Sequence, residues 1–223
     1  MKDAGELRRD VLEELEFEPS LDAASIGVAA DEGVVTLTGH VPTYAERITA
    51  ERAVKRVGGV RGVANDLTVE LWPGTDRDDT AIAQAALNAL EWNTLVPDEA
   101  ITVTVDNGWV TLEGEVEWKH QADAAFTAVA NLSGVRGVSN LVTLRPRVYP
   151  TTVEKRIRSA FQRSASLDAN RVHVETVGSR VILRGVVRSW AEHEDAERAA
   201  WAVPGVTMVE NELMVSSTVY ADA

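Results

Sequence analysis

The sequence predicts an α+β fold in which one α-β-β-α-β unit is written three times. A frame of alternating apolar residues closed by glycine carries the first part of that reading. It stands as Gly33-Val34-Val35-Thr36-Leu37-Thr38-Gly39, again as Gly108-Trp109-Val110-Thr111-Leu112-Glu113-Gly114, and in worn form as Ser179-Arg180-Val181-Ile182-Leu183-Arg184-Gly185. An asparagine follows the closing glycine after 26 residues in every copy, at Asn65, Asn140 and Asn211. The frame moves by 75 residues and then by 71, so the copies are in register. Each unit is expected to be a three-stranded mixed sheet with two helices on one face.

In the first copy, Leu7, Val11, Leu12 and Leu15 recur at helical spacing with charged residues between them. Pro19 ends this helix because it lacks the N–H that a helix interior requires. Ile26 and Val28 begin a short strand, and Asp31-Glu32-Gly33 is a tight turn. Val35 and Leu37 then share one face of the next strand, with Thr36 and Thr38 on the other. Gly39 interrupts a strand pattern that runs on to Val41, which marks a bulge or a close backbone approach. A second helix runs from Tyr44 to about Val57, with Ala50, Ala53, Val54 and Val57 facing inward. Gly59 closes it. Val63, Asn65, Leu67 and Val69 alternate as the third strand.

The second copy repeats each element at the offset of 75. Ile82, Ala86 and Leu90 form its first helical stripe, Ile101 and Val103 its first strand, and Asp106-Asn107-Gly108 its turn. Ala125, Ala128, Val129 and Leu132 form the second helical stripe. The third copy has Val153, Ile157 and Phe161, then Val172 and Val174, then Ala196, Ala199, Ala200 and Val203. Units are expected at residues 4–70, 78–145 and 151–216. Turn residues and acids join the first two at 72–79. Arg145-Pro146-Arg147-Val148-Tyr149-Pro150 joins the last two, short and stiffened by proline. Both linkers predict a compact or semi-rigid array.

The spacing (Ile or Val)-x-Val, turn, Val-x-Leu-x-Gly-x-Val, alanine-rich helix, Gly-Val-x-x-Val-x-Asn resembles the BON domain, named for bacterial osmotic-stress and nodulation proteins. Gly39, Gly114 and Gly185, the pairs Gly59-Val60, Gly134-Val135 and Gly205-Val206, and Asn65, Asn140 and Asn211 carry the likeness. Ser179 replaces the turn glycine of the third copy, with Gly178 one place earlier. The resemblance implies a non-enzymatic protein that binds phospholipid surfaces or other envelope components under osmotic or other stress. Relatives of this kind are transport-associated, periplasmic or outer-membrane-bound, and one cytoplasmic relative senses potassium. The resemblance assigns no catalytic residue and no cofactor.

The chain of 223 residues carries a net charge of −13. Residues 1–74 contribute −6, residues 75–146 contribute −7, and residues 147–223 are neutral. An acidic body of this kind argues against nucleic-acid binding. There is no cysteine, hence no disulfide framework and no thiolate chemistry. The charged N-terminus has no apolar leader, and no stretch is long and apolar enough to span a membrane. A native N-terminus places the protein in the cytoplasm, whereas removal of a leader would place it in the periplasm.

The four histidines, His40, His120, His173 and His193, occupy no matching positions and no metal-ligand spacing. Glu113, Glu115 and Glu117 share a strand face, where water serves three like charges better than a divalent ion does. Gly59-Val60-Arg61-Gly62 and Gly134-Val135-Arg136-Gly137 have the form of the Gly-x-x-Gly loop of KH domains, but they join a helix to a strand rather than two helices.

The aromatic residues are more informative. Phe17 and Trp92, at the ends of the first helices, are expected to cap their cores, and Trp109 to sit opposite the core face of its strand. Trp118, Phe126, Trp190 and Trp201 lie off the apolar stripes of the second helices. Packing between repeats is one use for them, and a half-wet membrane or partner surface is the other. Lys155, Arg156 and Arg158, with Arg163, make the first helix of repeat three basic and able to attract anionic headgroups. The sequence therefore predicts a binding or stress-protective module that meets anionic phospholipid or another protein. A cation sensor of the potassium type is the alternative.

Overall fold

A computed structural model describes residues 2–74, 76–145, 153–163 and 171–216. The linker at 146–150, expected to be stiff, lies outside the described residues.

The first repeat runs α1 (Ala4–Phe17), β1 (Ile26–Asp31), β2 (Val34–Val41), α2 (Tyr44–Arg56), β3 (Gly62–Asn65) and β4 (Thr68–Val69). The second runs α3 (Asp79–Glu91), β5 (Ile101–Asp106), β6 (Trp109–Val116), α4 (Lys119–Ala130) and β7 (Gly137–Leu144). The third runs α5 (Val153–Arg163), β8 (Val172–Val177), β9 (Arg180–Val187), α6 (Trp190–Trp201) and β10 (Met208–Val215). The element order is the one the sequence predicts. The third strand of the first repeat breaks after Asn65, but Leu37↔Asn65 and His40↔Thr68 keep a single register across the break.

Local chemistry sets the ends of these elements. The Asp3 side chain accepts the Glu6 N–H at 2.7 Å, and the Glu6 carboxylate accepts the Asp3 N–H, which starts α1 with a reciprocal cap. Thr43 caps α2 by accepting the Glu46 N–H on its hydroxyl, which itself donates to the Glu46 carboxylate. In each sheet the second strand is central. It is antiparallel to the first strand and parallel to the third.

Both helices of a repeat pack into one core. Leu7, Val11, Leu15, Ala50, Ala53 and Val54 meet Val35 and Leu37 in the first. Ile82, Ala86, Leu90, Ala125 and Val129 meet Val110 and Leu112 in the second. Ile157, Phe161, Ala196 and Ala200 meet Val181 and Leu183 in the third. The small alanines let each second helix lie close to its sheet.

The hairpin turns explain the replacement of the turn glycine by Ser179 in the third repeat. Glu32-Gly33 and Asn107-Gly108 take positive φ at both turn positions, which is the type I′ pattern. In the third repeat Gly178 has φ 63° and Ser179 is not positive, which is the type II′ pattern. Moving the glycine one place back exchanges one hairpin turn for the other and preserves the register Val177↔Arg180.

Candidate binding surfaces at the repeat junctions

Asn65, Asn140 and Asn211 tie each third strand to the start of its second helix. Their Nδ2 atoms donate to the carbonyls of Arg47, Ala122 and His193 at 3.2, 3.0 and 3.3 Å. Their Oδ1 atoms accept the N–H two residues on, from Leu67, Val142 and Leu213. Gly39, Gly114 and Gly185 have φ of 109°, 146° and 138°. A Cβ there would stand 2.2, 2.0 and 2.0 Å from the carbonyl oxygens of Ser25, Ala100 and Arg171. These six positions hold the fold together and carry no exposed chemistry.

The three second helices, α2, α4 and α6, meet one another through equivalent positions. Tyr44, Lys119 and Trp190 each open their helix, and each reaches the next repeat in cyclic order. Tyr44 packs on the core of repeat two and meets Phe126 edge-on, with ring centroids 6.5 Å apart. The Lys119 Nζ lies 5.8 Å from the Trp201 ring of repeat three. Trp190 packs on the core of repeat one, with the Lys55 Nζ 5.0 Å from its ring. Its Nε1 is buried without an acceptor among the described residues.

The four aromatics singled out in the sequence therefore divide by place. Phe126 and Trp190 pack against a neighbouring repeat. Trp118 and Trp201 line a cavity of about 760 Å³ between α4 and α6, which Arg52 of α2 also lines. The Trp118 ring stacks on His120 with centroids 6.4 Å apart, and the Trp201 Nε1 donates to Glu197 at 3.3 Å.

His193 is half-buried one turn before Glu197 on α6. Its Nδ1 lies 3.3 Å from the Asn211 Nδ2, and its ring centroid lies 5.0 Å from that of Trp190. Burial, the largest cause, holds its pKa below the ordinary 6.5. Glu197 and Glu194 oppose this, and Lys55 reinforces it.

The basic helix α5 forms a second surface. Lys155, Arg156 and Arg163 flank a groove of about 540 Å³ whose floor is Ala160, Ala199, Val203 and Pro204. All three bases are exposed and make no ion pair among the described residues. Arg158 does not line the groove, and pairs with Glu154 at 3.0 Å.

Two expectations are overturned. Phe17 and Trp92 do not cap their cores: they are 82% and 85% exposed. The helices end at Phe17 and Glu91, so these side chains stand past the last inward turn, where Leu15 and Leu90 already close the core. Trp92 joins Leu95 and Leu87 among the exposed apolar residues of repeat two. Trp109 is 46% exposed and lies flat over Gly137, where a Cβ would stand 2.4 Å from the ring. Its Nε1 donates to the Ser139 hydroxyl at 2.8 Å.

Glu113, Glu115 and Glu117 are exposed, and Glu115 pairs with Arg145 at 3.2 Å. Among the described residues no group of three or more histidines and carboxylates is placed to hold a metal ion, and no helix is long and apolar enough to cross a membrane.

Arg52 was not singled out in the sequence. Its one signal is positional: Arg52, Thr127 and Arg198 are equivalent in the repeat frame, and all three line cavities between second helices.

The family comparison agrees with three tandem units. The family model described as "BON domain" matches residues 3–70, 78–146 and 151–217. The chain is 31% identical over 148 residues to "Osmotically-inducible protein Y" of Escherichia coli (strain K12), covering 63% of this chain and 74% of the relative. It is 30% identical over 141 residues to the "21 kDa hemolysin" of Actinobacillus pleuropneumoniae, covering 60% of this chain and 72% of that one. Among solved structures, CdsD, described as a structural protein of the type III secretion system of Chlamydia trachomatis, aligns over 93% of this chain and 91% of its own, at 16% identity and a TM-score of 0.27. The repeated glycine and asparagine brackets, the three mixed sheets and the family match over nearly the whole chain place it in the BON domain family, as three tandem copies.

Proposed function

We propose that this chain is a non-enzymatic, stress-protective binding module that meets anionic phospholipid through its third repeat. The α5–α6 groove carries the reading. Three exposed cations, Lys155, Arg156 and Arg163, surround a floor of small apolar side chains, which suits a phosphate headgroup above and the start of an acyl chain below. Each basic residue near an anionic surface contributes roughly 1 kcal/mol. The other two repeats carry −6 and −7, so attraction is confined to repeat three and falls with added salt. The names of the two relatives, one for osmotic induction and one for haemolysis, support the reading.

Co-sedimentation with vesicles of phosphatidylglycerol and phosphatidylcholine, against phosphatidylcholine alone, tests it. The parent chain sediments with the anionic vesicles only, and the triple variant Lys155→Glu, Arg156→Glu, Arg163→Glu stays in solution with an unchanged melting curve. Equal sedimentation with both vesicles, or a triple variant that still binds, overturns the assignment.

A further inference from the structure

The three seams between second helices are built from equivalent positions but filled differently. Tyr44 enters the seam from repeat one to repeat two, with Ile48 beside it, and leaves a cavity of about 80 Å³. Trp190 enters the seam from repeat three to repeat one and leaves about 210 Å³. In the seam from repeat two to repeat three the equivalent residue is Lys119. Its ammonium is drawn to Asp123 and the Trp201 ring, and the cavity there is about 760 Å³. Two seams are plugged by an aromatic ring of the chain, and the third is not.

The walls of the open seam carry complementary chemistry. Trp118 stands at the N-cap of α4, where the equivalent Thr43 and Ser189 accept a helix N–H. A tryptophan there forgoes a side-chain cap worth about 1 kcal/mol and places an indole on the cavity instead. Arg52 and Glu194 both line the cavity, and both also line the smaller cavity beside Trp190. Neither makes a hydrogen bond or ion pair among the described residues, with each other included. The cavity thus offers two indoles, and a cation and an anion that make no ion pair among the described residues, in a volume within the usual range for small-molecule sites.

We propose that this cavity binds a small aromatic zwitterion of the aromatic α-amino-acid class. The ligand's ring takes the place that Tyr44 and Trp190 occupy in the other seams and meets Trp118 and Trp201. Its carboxylate pairs with Arg52, the geometry in which a guanidinium binds most specifically, and its ammonium pairs with Glu194. The site adjoins the lipid groove, with Ala202 lining both, but Arg52, Trp118 and Glu194 belong to this cavity alone of the two, so the two readings are tested separately.

Isothermal titration of the full chain with L-phenylalanine tests the proposal. L-Phenylalanine binds saturably, and N-acetyl-L-phenylalaninamide, which keeps the ring and loses both charges, does not. Arg52→Gln, on an exposed helix face, folds as the parent does and weakens binding at least about tenfold. Lys119→Tyr plugs the seam with the ring that repeat one carries, abolishing binding and raising the melting temperature. Absence of saturable heat with L-phenylalanine overturns the site. Equal binding of the blocked amide, or no effect of Arg52→Gln, overturns the zwitterion. Full binding by a folded Lys119→Tyr chain shows that the ligand lies elsewhere and overturns the proposal.

Discussion

The Lys55 ammonium of repeat one lies 5.0 Å from the centre of the Trp190 ring of repeat three. This contact closes the cyclic succession of second helices, because it joins the last repeat back to the first across 135 residues of chain. It also couples two cores that share no sheet, since Trp190 packs against the core of repeat one while opening a helix of repeat three.

Trp190→Ala should therefore cost about 2–4 kcal/mol and split one thermal transition into two. Trp190→Phe keeps a ring in the seam and removes the buried Nε1 that lacks an acceptor, so its cost should stay below about 1 kcal/mol. Calorimetry of both variants checks this. A single transition in the alanine variant would show that the repeats do not depend on the contact.

Gly114→Ala should destabilise by about 3 kcal/mol. Its φ of 146° is strained for any side chain, and its Cβ would stand 2.0 Å from the Ala100 carbonyl oxygen. The backbone of the turn that leads into β5 cannot yield as a flexible side chain can. Urea midpoints for the variant and parent measure the difference, and the same loss is expected at Gly39 and Gly185.

Asn140→Ala should cost about 1–3 kcal/mol, because it leaves the Ala122 carbonyl and the Val142 N–H without their partner. Asn140→Asp keeps the acceptor for Val142 and loses the donor to Ala122, so its cost should fall between alanine and parent. Equilibrium unfolding of the three chains orders them.

Trp92→Ala should change stability by less than about 0.5 kcal/mol, since the side chain is 85% exposed. The same variant locates membrane contact. If vesicle binding falls while stability holds, repeat two touches lipid as well as repeat three.

His193 makes stability depend on pH. Its folded pKa is depressed, so the unfolded chain binds the proton first as pH drops below 6.5. Stability is thus full above 6.5 and declines as pH falls toward the folded value. The groups facing the ring are Lys55 with its partner Glu51 on α2, Glu194 and Glu197 on α6, and Asn211 on β10. The urea midpoint should fall between about pH 7.5 and pH 5.5 in the parent, and by less in His193→Gln. Equal slopes would assign the dependence to other groups.

The sequence by itself determined the repeat. Period-2 alternation, helical stripes and the spacing of 26 from glycine to asparagine identify the α-β-β-α-β order of each repeat, because each local signal agrees with the same core. It also marked the residues that the fold turns into brackets, although it gave no sign that Asn140 would reach back to Ala122. The reading of Phe17 and Trp92 failed because each stands two positions after the last inward side chain, Leu15 or Leu90, which turns it about 200° round the helix and into solvent. Only the tertiary structure decided how the repeats meet. Tyr44, Lys119 and Trp190 hold one position in the frame, yet whether that position fills a seam or leaves it open depends on a neighbouring repeat more than fifty residues away in sequence. Contacts between separate cores leave no periodicity to read, so the open seam lined by Trp118, Trp201 and Arg52 became visible only when the three helices were brought together.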